Sequence, residues 1–173
     1  TSIILTDSVP LLGLVCKILR PVIPADFDPM GLWILLCYML LAHAFSALLY
    51  HFGHRGAIAA VAGALFAVMA PFLSVFFFTA SLQAQFLVVY GLLLYFHAAD
   101  GVRPRRTMSL FSLLLLAALL INFYFFAVVS ILYLCAAANL LLQSRVEPSG
   151  LRTLLGINAG FTLVAVLVTM FVL

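Results

Sequence analysis

Residues 29–54 read PMGLWILLCYMLLAHAFSALLYHFGH, a run of 26 residues that contains no Asp, Glu, Lys or Arg. Three more charge-free runs, of 44, 38 and 21 residues, cover residues 56–99, 107–144 and 153–173. A helix needs about 20 apolar residues to cross a hydrocarbon core about 30 Å thick. The sequence therefore predicts an all-α fold, a polytopic transmembrane helical bundle.

The overall composition excludes a soluble globular domain. The chain has 173 residues, of which 67% are apolar and 8% are charged, whereas a soluble domain carries about 25% charged residues. Only an exterior that faces lipid makes such a composition stable. The net charge of +3 does not indicate a nucleic-acid partner, because the arginines lie in links between apolar runs and not on one basic face.

The lengths of the runs predict about six spans. The first run suits one helix, the 44-residue run suits two helices with a turn after Pro71, and the 38-residue run suits two with a turn at Asn122. We predict an outer-face loop over residues 1–29, with an interfacial amphipathic helix at 8–20, followed by a transmembrane helical domain over 30–173. The predicted spans lie near residues 30–50, 56–73, 83–98, 107–121, 124–143 and 151–173.

The charged clusters predict which side of the membrane each link faces. After residue 29, charge occurs only at Arg55, at Asp100–Arg106 and at Arg145–Arg152. Successive clusters are separated by two predicted spans, so all three lie on one side. They hold six of the eight basic residues, and the positive-inside rule makes that side cytoplasmic. Residues 1–29 then face the periplasm or the cell exterior.

Glycine and alanine recur at four-residue spacing in two of the predicted spans. Gly156 and Gly160 form a close-approach motif, and Ala59 with Gly63 repeats the spacing. Small residues at this interval let two helices approach closely. We expect the motif at Gly156 to pack within the chain, with pairing between two copies as the alternative.

The predicted outer segment carries the candidate chemistry. Asp7 is the candidate catalytic carboxylate, as a general base, metal ligand or acceptor for sugar hydroxyls, and it can equally cap the helix that follows. Lys17 and Arg20 share one face of that helix and can bind a lipid phosphate or simply anchor it at the headgroups. Asp26 and Asp28 have a spacing that can chelate a divalent cation, the one cofactor that the sequence suggests, or form a solvated turn.

Inside the predicted spans, polar side chains mark a candidate cavity. His43, Gln85 and Asn122 are the candidates to line it, because intramembrane polar groups usually face the bundle or a wet cavity. His43 can equally make an internal hydrogen bond, and Asn122 can stabilise its turn. His51 and His54 lie where the first span meets the interface, and we interpret them as interfacial side chains.

The amino-terminal half of the chain resembles a family of bacterial polytopic membrane proteins that is similar to glycosyltransferases of the C-type fold. The matching positions extend from Thr1 to about Phe96 and are most specific over the first forty residues. They comprise Thr6–Leu12, Lys17 within Val15–Leu19, Pro24, Phe27, Gly31–Cys37, Ala70–Leu73 and Leu82–Phe86. Enzymes of that kind take a sugar from a polyprenyl-phosphate carrier on the outer face of the membrane.

The chain departs from that family at three polar positions. Thr79, Gln85 and Asn122 stand where relatives tend to carry histidine. The resemblance also implies a catalytic Asp in a loop that would precede Thr1, so the chain is expected to be a fragment.

The resemblance implies a function in the bacterial inner membrane. The expected function is the membrane domain of a glycosyltransferase that uses a polyprenyl-phosphate sugar, with membrane lipid and the lipid-linked sugar as partners. The alternatives are a lipid or small-solute transporter or flippase, and a non-catalytic membrane scaffold.

Overall fold

The structure is a computed structural model, which describes residues 9–19, 21, 29–54, 56–70, 80–101 and 103–143, together with Gly156 and Gly160. These residues confirm the predicted all-α class, since they form helices and no strand. The α-helices are α1 (Pro10–Leu19), α2 (Pro29–His51), α3 (Ala57–Met69), α4 (Phe86–Ala99), α5 (Pro104–Ile121) and α6 (Phe123–Leu142), and a 3₁₀ helix at Ala80–Gln83 precedes α4.

Four segments of the described part are long and apolar enough to cross a membrane. They are Pro29–His51, Ala80–Ala99, Pro104–Ile121 and Phe123–Leu142. α3 has 13 residues and is shorter than a full span. The predicted sixth span, at 151–173, lies outside the described residues except for its two glycines.

The spans pack as a bundle with an apolar exterior. α2 lies against α3 and α4, α4 against α5 and α6, and α5 against α6. The largest fully buried side chains of the bundle include Phe111, Phe125, Leu41, Leu87 and Met108. Large apolar side chains also point outward, such as Met39 at 62% exposure and Ile58 at 74%. Such an exterior is stable against lipid and not against water.

α2 and α3 pack closely because the contacting face of α3 is made of small residues. Ala59, Gly63 and Ala67 are buried at four-residue intervals. A Cβ built on Gly63 would collide with Ser46 Oγ and with the backbone carbonyl oxygen of Ala42 on α2. Ser46 is held in place because its hydroxyl donates a 2.8 Å hydrogen bond to that same carbonyl. The small-residue spacing here therefore serves packing within the chain.

The motif at Gly156 and Gly160 is placed differently. Both glycines are helical and exposed, and a Cβ added to either would meet no atom within 4 Å. The rest of the predicted sixth span lies outside the described residues, so our expectation that the pair packs within the chain stays a prediction.

α5 and α6 are separated by a turn at Asn122. Its backbone is extended, and its Oδ1 accepts a 2.8 Å hydrogen bond from the Tyr124 amide, which caps α6. Its Nδ2 donates a 2.9 Å hydrogen bond to Ser81 Oγ, and Ser81 is 1% exposed. The amide of Asn122 therefore both starts α6 and ties the turn to the 3₁₀ helix.

Replacing Asn122 should destabilise the bundle through both of these contacts. We expect Asn122→Ala to lower the unfolding free energy by about 1.5–2 kcal/mol, of which the cap contributes about 1 kcal/mol and the bond to Ser81 about 0.6 kcal/mol. A double-mutant cycle with Ser81→Ala can be measured by SDS titration in mixed micelles. It should give a coupling energy of about 0.6 kcal/mol, the contribution of the bond to Ser81 alone. Full additivity of the two substitutions would contradict the Asn122–Ser81 bond.

Candidate functional site

α1 presents a mixed surface of one basic and several apolar side chains. It has 10 residues, so it is about 15 Å long and too short to span a bilayer. Val9, just before α1, is 6% exposed, and Leu11 and Leu12 pack against the core. Pro10 and Cys16 are half-buried, and the exposed residues of α1 are Gly13, Leu14, Val15, Lys17, Ile18 and Leu19.

Of the site residues predicted in the outer segment, one lies among the described residues. Lys17 is exposed on α1, and no carboxylate among the described residues pairs with it. Asp7, Arg20, Asp26 and Asp28 lie outside the described residues. The predicted joining of these side chains into one outer site stays a prediction.

A groove of about 400 Å³ runs between α2 and α4. Its lining combines histidine, tyrosine and serine with small and apolar side chains. The lining residues are His43, Ser46, Ala47, Tyr50, His51, Leu93 and His97. Three of the four histidines of the chain therefore meet in one groove.

One lining residue of the groove, His43, forms a pair with Tyr90. His43 Nδ1 and Tyr90 Oη lie 2.7 Å apart, which joins α2 to α4 by a hydrogen bond. His43 remains exposed in spite of this bond. It therefore lines a cavity and makes an internal hydrogen bond at once, the two roles that the sequence left open.

The other two residues predicted to line a cavity lie elsewhere. Gln85, just before α4, donates a 3.1 Å hydrogen bond from Nε2 to the Leu82 carbonyl oxygen, and Asn122 caps α6 as described above. Neither lines the groove. The structure thus does not bring His43, Gln85 and Asn122 together in this groove.

The mouth of the groove lies where α2 and α4 end. His51 Nε2 is 3.2 Å from Asp100 Oδ2, and the side chains are 13% and 58% exposed. The rings of His51 and His97 are 5.0 Å apart between centroids and meet edge to face. Among the described residues, no group of three His, Cys, Asp or Glu side chains is arranged to hold a metal ion.

Sequence reasoning missed this cluster because it related His51 only to His54, its neighbour in the sequence. The available signal was that His51 and His97 each end a span on the same predicted side of the membrane. Two such residues can meet only if α2 and α4 are neighbours, and the sequence did not predict which spans are adjacent.

Comparison with known proteins gives one result. The sequence profile described as Domain of unknown function (DUF6311) matches residues 1–173. Neither the curated proteins nor the solved structures contain a significant match to the chain.

Proposed function

The chain belongs to the DUF6311 family, and we propose that it forms the membrane domain of a glycosyltransferase-like protein that takes a sugar from a polyprenyl-phosphate carrier. The observation that carries this proposal is the surface of α1. A helix too short to span, fixed to the bundle by one face, leaves a lysine and several large apolar side chains open on the other. This is the surface that a lipid with a phosphate headgroup would match.

Each part of the lipid has a counterpart on α1. The Lys17 ammonium is exposed and can meet a phosphate as a compact positive charge. Leu14 at 52% exposure and Ile18 at 67% lie four residues apart on one face and can contact the chain of an isoprenoid lipid. A surface-lying helix with this division is typical of binding to anionic lipid.

The proposed orientation places α1 on the outer face. Arg103 precedes α5, and Arg105 and Arg106 lie in its first turn, near the end of α4 and its His51–Asp100 contact. The positive-inside rule favours the cytoplasm for this end of the bundle. The beginning of α2, which follows α1 in the chain, would then face the periplasm of a bacterial inner membrane.

Binding of a polyprenyl phosphate tests the proposal. In phosphatidylcholine nanodiscs we expect Lys17→Ala to weaken binding about five-fold, because one basic residue at a membrane surface contributes about 1 kcal/mol. Lys17→Arg should bind like the wild type, since it retains the charge. Polyprenol, which lacks the phosphate, should bind equally to all three proteins. The matched control is Arg105→Ala, an exposed basic residue on α5.

A result in which Lys17→Ala and Arg105→Ala bind polyprenyl phosphate equally well would refute the role of α1. Transfer of the sugar is a separate question, because Asp7 lies outside the described residues. The enzyme hypothesis expects Asp7→Asn to abolish sugar transfer with folding retained, whereas a non-catalytic scaffold predicts no effect beyond stability.

A lipid or small-solute transporter is the second candidate function. The groove between α2 and α4 favours it, because histidines inside membrane spans often mark the path of a substrate or ion. Uptake into vesicles that contain the purified chain would support this function, and sugar transfer without uptake would support the first.

A further inference from the structure

The groove between α2 and α4 is lined by His43, which pairs with Tyr90 inside two segments long and apolar enough to cross a membrane. Its mouth is at His51, and His43 lies eight residues earlier on the same helix, about 12 Å along the helix axis. His43 is exposed, so the groove is open at the side. Polar side chains at such a depth nearly always face a water-filled cavity or a bound partner.

The hydrogen-bonding capacity of the pair defines what can complete it. If Tyr90 donates to His43 Nδ1, the Nε2–H of His43 is left as a donor and the tyrosine oxygen as an acceptor. If His43 donates instead, the tyrosine hydroxyl is left as a donor and Nε2 as an acceptor. In both tautomers the neutral pair retains one donor and at least one acceptor. Leaving this donor or this acceptor without a hydrogen bond in hydrocarbon would be costly.

The charges at the mouth argue against two classes of ligand. Asp100 is more than half exposed and pairs with His51, so an anionic headgroup would meet a carboxylate there. The described residues provide no cluster of three metal ligands. A neutral ligand with both hydrogen-bonding capacities matches the His43–Tyr90 pair, and a hydroxyl group is the simplest that has them.

We infer that this groove is a binding site for a neutral long-chain alcohol that enters from the bilayer. Its hydroxyl bonds with the His43–Tyr90 pair, and its hydrocarbon lies along Ala47 and Leu93 and leaves through the open side. The volume of about 400 Å³ falls within the range of about 300–1,000 Å³ found for small-molecule sites. The inference is independent of the phosphate site proposed on α1.

Photolabelling of the wild-type protein tests the ligand class. In phosphatidylcholine nanodiscs we would compare a diazirine-bearing hexadecanol with its methyl ether and its phosphate monoester, and locate the label by mass spectrometry. The alcohol should label the α2 and α4 segments that line the groove. The ether lacks the donor and the monoester carries charge, so each should label at least about five-fold less, the effect of losing one intramembrane hydrogen bond.

Two variants test the residues. Tyr90→Phe removes one hydroxyl and keeps the ring, and His43→Phe removes the imidazole; each should reduce labelling by the alcohol to the level of the ether. The matched control is Ser130→Ala on α6, which does not line the groove and whose hydroxyl donates to the Phe126 carbonyl oxygen. That variant should label within about two-fold of the wild type, because it loses no donor that faces the ligand.

Three outcomes would overturn the inference. The first is equal labelling of the wild type by the alcohol and the ether, which decides the matter even if both variants fail to fold. The second is a folded Tyr90→Phe protein that labels like the wild type. The third is a groove filled with water, in which a cysteine placed at Ala47 reacts with a charged thiosulfonate equally fast with and without the alcohol.

Discussion

Gly63→Val should lower the unfolding free energy by about 3 kcal/mol, the upper part of the range for overpacking a close contact. The added side chain would occupy space held by the Ala42 carbonyl oxygen and by Ser46 on α2. A backbone carbonyl cannot rotate aside as a long side chain can. α3 would have to move away from α2, and the contacts of Ala59 and Ala67 on the same face would be weakened too.

The matched control for this substitution is Gly31→Val in α2, where an added Cβ meets no atom within 4 Å. Both changes replace a helical glycine by the same residue, so the difference between them isolates the contact. SDS titration in mixed micelles can follow unfolding through the fluorescence of Trp33, the single tryptophan of the chain. Equal stability of the two variants would show that α3 does not pack on α2 in this way.

Trp33→Ala is the second substitution with a large expected effect, a loss of about 3 kcal/mol in unfolding free energy. Trp33 is 4% exposed, and its indole N–H donates a 2.8 Å hydrogen bond to the Ala80 carbonyl oxygen in the 3₁₀ helix. The alanine variant loses this bond and leaves a cavity between α2 and the 3₁₀ helix. Trp33→Phe retains most of the volume and should cost about 1 kcal/mol, of which the lost hydrogen bond contributes about 0.6 kcal/mol and the smaller ring the rest.

Circular dichroism during SDS titration suits this series, because the substitutions remove the fluorophore. Leu35→Ala is the matched control, since Leu35 lies on the same helix and is 56% exposed. Its cost should stay within about 0.5 kcal/mol, as expected for a surface position. We expect the loss of unfolding free energy to be largest for Trp33→Ala, smaller for Trp33→Phe and smallest for Leu35→Ala. A Trp33→Phe protein as unstable as Trp33→Ala would assign the whole effect to the hydrogen bond.

The runs without charge predicted the long helices well, for a physical reason. Residues 30–50 were predicted as the first span, and α2 occupies Pro29–His51. Asn122 was predicted as the turn within the 38-residue run, and it separates α5 from α6. Both predictions used the cost of placing a charge or an unsatisfied backbone in lipid, which depends on local sequence alone.

Predictions were weaker at the end of a helix and where distant residues hold a short segment in place. α5 begins at Pro104 and includes Arg105 and Arg106 in its first turn, whereas the predicted span began after the charges, at residue 107. Proline fits the first position of a helix, so charged residues can belong to the helix outside the bilayer. The 3₁₀ helix at Ala80–Gln83 was not predicted, because it is held by Trp33 and Asn122 from distant parts of the chain.

The candidate groove shows the same limit. His43 was recognised as a special residue because a histidine within an apolar span must find a polar environment. Its partner Tyr90 lies 47 residues away, and no pattern in a single sequence links the two. Lys17 on α1 was recognised because amphipathic spacing is a local property.

Two of the polar contacts of α2 bear on the order in which the protein is made. Trp33 pairs with Ala80, and His43 pairs with Tyr90, and each pair is separated by 47 residues. At about 5–20 residues per second, a ribosome needs several seconds to synthesise that interval. During this delay the newly made α2 has neither partner for its indole or its imidazole. Translation of residues 80–99 then supplies both partners, so we expect α2 to reach its final packing only after the α4 segment has been made.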